Sequence, residues 1–455
     1  MNTKNNGAAV DSFNRLIPWL ICLVGMLFYC YNYFLRVSPS VMHDDLLQSF
    51  HITAYQFGAL AAFYYYAYTP MQLPAGMIYD KFGARAVLVF ACLTAVLGLS
   101  IFVSADNYAL AALGRFLIGL GCAFAYIGVL KLASLWLPAN RFATVAGLTT
   151  ALGMTSAALS QRYLAKAVEF FGYKQALHFA IFGGIVLSVI IFLLIRSKPK
   201  NTSTDNKQIQ EPINIKQLFS AVRLIATNPQ MWLIGTIGCL LYLPASVFLD
   251  LWGIPYLKSV YQLTPDQAVS ISGLTFFGWI IAGPIIGAIS DRIKLRRLPL
   301  ISTGAFAAIL LCTVFYMPGI NYFWLTIMFF FIGFCCGAHP LCFALGKENN
   351  PIQISGTAVA VTNMLIMAGG AVFQPVVGKL LDLHTTSPLG PNGLPVYTAS
   401  DYTFALSVIP IGVSIGILLS FFLKETHCRS VAKESHERIF ASKSILLKPE
   451  VEGAT

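Results

Sequence analysis

Apolar runs long enough to cross a bilayer recur twelve times along the chain, separated mostly by short polar segments. A membrane-spanning helix needs about 20 predominantly apolar residues. The runs lie at 16–38, 55–78, 86–104, 108–131, 142–162, 174–195, 231–256, 267–289, 299–317, 321–345, 353–381 and 402–423. They fill most of the 455 residues. In lipid the backbone must satisfy its own hydrogen bonds, so runs of this length imply helices. Only 11% of the residues are charged and 57% are apolar, with a mean hydropathy of +0.70; soluble chains carry roughly a quarter charged residues. A soluble multidomain enzyme is excluded, as are fibrous and disordered chains. The fold class expected is an all-α polytopic membrane protein with 12 spans.

Charge placement sets the direction of threading. Basic residues accumulate on the cytoplasmic side of membrane proteins. With the N-terminus inside, 22 of the 30 Lys and Arg fall in segments on that side, and Arg162, Lys166, Lys174 and Lys258 are left on the other. Both termini are therefore expected in the cytoplasm. The minimal loops suggest a bacterial inner membrane. The net charge of +11 then reflects topology, and the lipid bilayer rather than nucleic acid is the expected surroundings. Nine of the ten cysteines lie inside apolar runs and Cys428 follows the last one, so neither a disulfide framework nor a metal site is expected. The first run is too long for a signal-peptide core and is expected to remain as a span. Asn201-Thr-Ser fits a glycosylation pattern but falls on the cytoplasmic side.

One long polar stretch, from Arg196 to about Pro229, divides the runs into six and six. The expected organisation is an N-terminal bundle (1–195), a cytoplasmic linker (196–230), a C-terminal bundle (231–423) and a tail (424–455). Within the linker, Ile215, Leu218, Phe219, Val222 and Ile225 recur at helical spacing, which predicts an amphipathic helix on the inner membrane face. The halves also repeat each other. Gly76-Met-Ile-Tyr-Asp80-Lys81 is matched 211 positions on by Gly287-Ala-Ile-Ser-Asp291-Arg292. Phe34-Leu35-Arg36 is matched 214 positions on by Phe248-Leu249-Asp250. Nearly equal offsets in the same order point to a duplicated six-helix unit.

At these residues the chain resembles the major facilitator superfamily. Gly76-Met-Ile-Tyr-Asp80-Lys81-Phe-Gly83-Ala84-Arg85 is similar to that family's signature after its second span, with Ala84 where a basic residue is usual. Gly287, Asp291 and Arg292 form the shortened second copy. Arg115-Phe-Leu-Ile-Gly119 and the stretch from Lys131 through Trp136-Leu137-Pro138 to Arg141 resemble further family elements. The resemblance implies two pseudo-symmetric six-helix bundles that rock around a midplane site. It implies a latch at the cytoplasmic end built by Gly76, Asp80, Lys81, Gly83, Arg85, Gly287, Asp291 and Arg292, closed when the cavity faces outward. Gly76 and Gly83 would allow a tight turn and close helix approach, and Asp80 would accept hydrogen bonds from a neighbouring helix start and pair with Arg85.

Ionisable residues within spans are costly and mark function by default. Arg36 shares a helical face with Asn32, Tyr33 and Tyr29, which predicts a polar, aromatic cavity wall; the alternative is snorkelling to the interface. Asp250 is the one acid well inside an apolar run, on a face with Ser246, Leu243 and Cys239, and Pro244 should kink its helix. Its repeat relation to Arg36 predicts that the two meet, either as a proton-coupled outer gate or as a permanent structural salt bridge. Arg115 aligns with Gly119, Cys122 and Tyr126, a face suited to close packing or proton relay. Lys131 either snorkels or reaches a substrate anion. A lone His339 before Pro340 is more often packed and hydrogen-bonded than titrating. Asn363 and Gln374, three turns apart, could share one cavity face or serve as helix–helix glue. Of Tyr64, Tyr65, Tyr66 and Tyr68, at most two can line a pathway.

The chain lacks the Gly-x-x-x-x-Gly-Lys-Ser/Thr phosphate loop, which excludes ATP-driven transport. Its loops are too short for a catalytic domain. No enzyme activity and no cofactor are expected, only a proton gradient as energy source. Basic residues in the first half favour a substrate with a carboxylate or phosphate. The expected function is alternating-access transport of a small polar solute, by proton-coupled uptake of an organic anion, amino acid or short peptide. Proton-coupled efflux of an amphipathic or chelating compound is the alternative, disfavoured because the fifth span lacks the Gly-Pro motif usual in the drug antiporters of the family. The partner expected is a small-molecule substrate, and the protein is expected to be a monomer.

Overall fold

The computed structural model describes residues 3–196, 215–317, 319–390 and 392–429, with backbone alone for 3–15, 139 and 215–217. The expectations for linker residues 197–214 and tail residues 430–455, including Lys198, Lys200, Asn201, Lys207, Lys433, Arg438, Lys443 and Lys448, lie outside the described residues.

The first half contains α1 (Thr3–Val41), α2 (His43–Phe50), α3 (Ala54–Met71), α4 (Ala75–Phe82), α5 (Ala84–Val103), α6 (Tyr108–Cys122), α7 (Ala125–Trp136), α8 (Phe142–Phe171) and α9 (Tyr173–Leu194). Helix α10 (Ile215–Ala226) precedes the second half. That half contains α11 (Pro229–Leu241), a π-helical segment Pro244–Trp252, α12 (Gly253–Val260), α13 (Pro265–Ile293), α14 (Arg297–Tyr316), α15 (Tyr322–Cys336) and α16 (Pro340–Glu348). It closes with α17 (Ser355–His384), α18 (Ala399–Leu406) and α19 (Val408–Ser420). The described residues contain no strand beyond one isolated bridge, Leu389 to Pro395.

Eleven helical stretches among the described residues are long and apolar enough to cross a membrane. The expected second span is the exception. Helix α3 carries Tyr55, Tyr64, Tyr65, Tyr66 and Tyr68, which lower its hydropathy, and the chain breaks at Gln72–Pro74 before α4. It still packs along α6 on one side and α17 on the other, with Tyr64 and Tyr65 fully buried. The molecule is an all-α polytopic membrane protein of two six-helix bundles.

The duplication is visible in how the helices start and touch. Thr53 and Gln56 make a capping box at the start of α3, and Thr264 and Gln267 repeat it at α13. Asn107 caps α6 through Leu110 N–H, and Asn321 caps α15 through Trp324 N–H. Each cap satisfies a backbone donor that has no partner within its own helix. A Cβ on Gly119 of α6 would fall on the Tyr64 carbonyl of α3, and one on Gly333 of α15 on the Thr275 carbonyl of α13. The two glycines lie 214 positions apart and the two carbonyls 211. The fourth and tenth spans are both broken, near Ala123–Phe124 and Gly337–His339.

Helix α10 forms where the amphipathic pattern placed it. Ala221 and Ile225 are buried as the helix packs on α11 and α17, while Phe219 is 71% exposed. Packing on the second bundle, rather than the apolar stripe alone, decides which residues turn inward.

Candidate substrate pathway and gates

The centre of the molecule is an ion pair between halves. Arg36, near the end of α1, and Asp250, in the π-helical segment, are 5% and 3% exposed. Arg36 Nη2 lies 2.6 Å and Nε 2.8 Å from Asp250 Oδ2. The Tyr65 hydroxyl donates to the same oxygen at 2.6 Å, and Arg36 Nη2 also donates to the Tyr242 hydroxyl at 3.0 Å. The guanidinium sits 5.2 to 6.0 Å from the ring centroids of Tyr65, Tyr33 and Tyr242. The two residues meet, 214 positions apart, as the repeat predicted, and Arg36 does not snorkel. The backbone around Asp250 departs from the expected helical face: Pro244 opens a π-helix, in which α-helical spacing to Ser246, Leu243 and Cys239 no longer holds.

The polar face of α1 is a buried seam in this state, not an open cavity wall. Asn32 accepts a hydrogen bond from the Tyr64 hydroxyl. Tyr29 packs edge-on to Tyr33 and 5.2 Å from Tyr126, and both Tyr29 and Tyr33 press on Gly153 of α8. Arg115 is also buried. Its Nη1 donates to the Leu35 carbonyl at 2.8 Å, its guanidinium lies 5.5 Å from the Tyr64 ring centroid, and its Nε has no hydrogen-bond partner. Among the described residues no carboxylate forms an ion pair with it. His339 is packed as expected, 4.8 Å from Tyr242 and 4.9 Å from Phe343, but the expected hydrogen bond is absent: neither ring nitrogen has a partner, because aromatic rings surround it.

Three further expectations are decided by the contacts these side chains make. Lys131 is neither snorkelling nor free for a substrate: its Nζ pairs with Asp80 at 2.6 Å. Asp80 forms no ion pair with Arg85, whose guanidinium instead lies 4.3 Å from the Phe192 ring centroid. Asn363 and Gln374 do not share a cavity face. Eleven residues of helix separate them by about 16 Å, Asn363 donating to Gln72 Oε1 and buried Gln374 to the Ser246 carbonyl. Both act as interhelical links. Of the tyrosine cluster, Tyr65 reaches the ion pair, Tyr64 and Tyr68 stack, and Tyr66 is 42% exposed.

The signature residues sit at the basic end of the bundles. Gly83 turns the chain at φ +79°, as expected. Gly76 and Gly287 face open space, so the close helix approach expected at Gly76 is not made in this state. Asp291 pairs with Arg296, which also holds Glu348 at 2.8 Å, all within the second half. The Asp80–Lys131 pair lies within the first. Lys81 and Arg292 flank these pairs in sequence.

The opposite end is tied across the halves. Gln161 of α8 donates to Ser40 Oγ and the Leu249 carbonyl and accepts from Ser272 of α13. Lys258 pairs with Asp44 at 2.7 Å, again 214 positions apart, and His43 packs edge-on to Phe57 and Trp252. The sequence reading missed these links, although the Asp44–Lys258 offset was available in it. The His43 hydrogen bond, helped by the charges of His43 and Lys258 against the opposing effect of burial, holds the Asp44 carboxyl well below its ordinary 3.8. A depressed folded-state value means stability that is present above the unfolded value and lost as pH falls through the folded one. The melting temperature of wild type is expected to exceed that of Asp44→Asn at neutral pH, with the gap narrowing below about pH 4. The carboxylate is 61% exposed, so the gap corresponds to about 1 kcal/mol or less.

Comparison with known proteins agrees with this architecture. The sequence profile of the Major Facilitator Superfamily matches residues 20–382. An uncharacterized transporter, YybO of Bacillus subtilis (strain 168), is 29% identical over 276 residues, 55% of this chain and 62% of its own. A probable sulfoacetate transporter, SauU of Cupriavidus necator, is 23% identical over 62% of this chain and 66% of its own. The chain thus spans just under two thirds of the length of each. Among solved structures, a bacterial homologue of the human lysosomal transporter Spinster, inward-facing and unoccupied, superposes with a TM-score of 0.71 at 15% identity, over 92% of this chain and 98% of that one. The likeness extends to the fold alone. With the profile covering most of both bundles, the chain belongs to the Major Facilitator Superfamily.

Proposed function

We propose that the protein is a secondary transporter of a small organic anion, driven by protons and working by alternating access. The bundles 1–195 and 231–423 are the rocking bodies, joined by 196–230. The basic end is the cytoplasmic face of a bacterial inner membrane, with both termini there, and a monomer suffices. The observation that carries the anion is the buried charge inventory. Among the described residues Arg36 and Arg115 share one carboxylate, Asp250, which pairs with Arg36 and leaves Arg115 without an ion-pair partner. A buried cation without a partner is costly unless an anion approaches it. The sulfoacetate in the name of one relative is such an anion. Unfilled space at Gly76 and Gly287 supports a disengaged cytoplasmic latch and an inward-facing state. Asp250, shared between Arg36 and Tyr65, is the proton carrier: protonation would release Arg36 and open the outer seam.

A ligand-stabilisation screen on the purified protein tests this. Sulfonates, dicarboxylates, sugar phosphates, amino acids and dipeptides would be compared with bulky cations. An anion at about 100 times its Kd should stabilise by about 2.7 kcal/mol, and Arg115→Gln should weaken that binding at least tenfold. In proteoliposomes, an inward proton gradient should accelerate uptake of the hit, and Asp250→Asn should abolish the acceleration. Stabilisation by bulky cations alone, or uptake indifferent to the gradient, overturns the reading.

A further inference from the structure

The outer ends of α3 and α17 are joined by a contact that neither the signature motif nor the central ion pair includes. Asp382, in the last turn of α17, points its carboxylate at the start of α3 in the other bundle. Ala54 N–H donates to Oδ1 at 3.1 Å and Tyr55 N–H to Oδ2 at 3.0 Å. The Tyr397 hydroxyl, from the loop after α17, donates to Oδ1 and accepts from Ala54 N–H at 2.9 Å. The neighbouring donor, Thr53 N–H, is taken by Gln56 of its own helix. The first N–H groups of a helix have no partner within it, and a carboxylate there is further favoured by the helix dipole. Helix α3 thus has its first two N-terminal donors satisfied by the opposite bundle. Two glycines permit the approach: a Cβ on Gly378 would strike the Ala54 carbonyl, and one on Gly58 the Gln374 carbonyl.

We infer that Asp382, with Tyr397, is a state-specific outer latch: it caps α3 when the outer seam is closed and must let go whenever that seam opens. This rests on the rocking-bundle reading above. Asp382 differs from the central pair in kind, since it holds backbone N–H groups rather than a charged side chain. It holds the outer seam closed independently of the protonation of Asp250. Losing the cap therefore shifts the balance toward outward opening rather than weakening both states equally.

The test reads opening at a different seam. Ser272, buried between α8 and α13 and bonded to Gln161, is replaced by cysteine. A membrane-impermeant maleimide is then applied from the outer face, with the native cysteines of the parent chain giving the background. Adding Asp382→Ala should raise the labelling rate of Ser272→Cys by about three- to thirtyfold, the range expected for loss of a helix cap. Asp382→Asn, which keeps one acceptor oxygen, and Tyr397→Phe, which keeps the ring, should give smaller increases; these also serve if the alanine variant does not fold. Asp250→Ala is the reference, since breaking the central pair should open the seam whatever Asp382 does. If Asp250→Ala accelerates labelling and no change at Asp382 or Tyr397 does, the latch is wrong and the rocking bundles stand. If none accelerates it, both fall.

Discussion

Arg36→Ala is expected to destabilise the protein by about 3–5 kcal/mol, because it leaves the Asp250 carboxylate buried at 3% exposure with only the Tyr65 hydroxyl. Asp250→Ala should cost a similar amount by stranding the guanidinium among Tyr33, Tyr65 and Tyr242. The paired change Arg36→Gln with Asp250→Asn removes both charges while retaining polar groups of similar size, and should recover most of the loss. Unfolding measurements on Arg36→Gln, on Asp250→Asn and on their combination give the coupling directly. Transport separates the two readings of the pair. A permanent structural salt bridge predicts that the double variant regains proton-driven uptake along with its stability. A proton-coupled gate predicts a stable protein whose uptake no longer responds to the proton gradient, and this is the expected result.

Gly119→Val and Gly333→Val should each cost about 3 kcal/mol or more and sharply lower the yield of folded protein. A Cβ at either position falls on a backbone carbonyl, of Tyr64 or Thr275, which cannot swing aside as a flexible side chain would. Relief requires α6 to move from α3, or α15 from α13, and in a membrane such close approaches between small residues are what hold helices together. Gly147→Ala in α8 is the control. Its Cβ would meet nothing within 4 Å, so the change should leave stability unchanged or raise it by up to about 1 kcal/mol. Melting in detergent and again in lipid, with expression yield alongside, measures all three. Equal tolerance at Gly119 and Gly147 would show that α3 and α6 are not tightly packed.

The repeat was legible because duplicated structure needs duplicated residues. Offsets of 211 and 214 found from two short motifs reappear in the Thr53 and Thr264 capping boxes, the Asn107 and Asn321 caps and the Gly119 and Gly333 contacts. The caps could have been found from sequence by searching for Thr-x-x-Gln ahead of apolar runs. Lys131 was harder. The span that carries it breaks after Cys122, and the lysine meets Asp80 from the separate helix α7. Asp382 had no local signal at all, since it looks like any acid at the end of a span until α3 is placed against it.

The sequence by itself determined that twelve apolar runs divide six and six, which end is basic, and that Arg36 and Asp250 occupy equivalent places in the two halves. These are properties of composition and period, set by the bilayer's thickness and its intolerance of unpaired backbone. Only the tertiary structure decided which charges meet, which glycines touch, and at which end the bundles are joined. Those outcomes depend on helix breaks at Ala123 and Gly337, on the π-helix after Pro244, and on contacts between residues as far apart as Ala54 and Asp382. A helix face can be computed from its own residues; its partner is chosen by every other helix competing for the same surface.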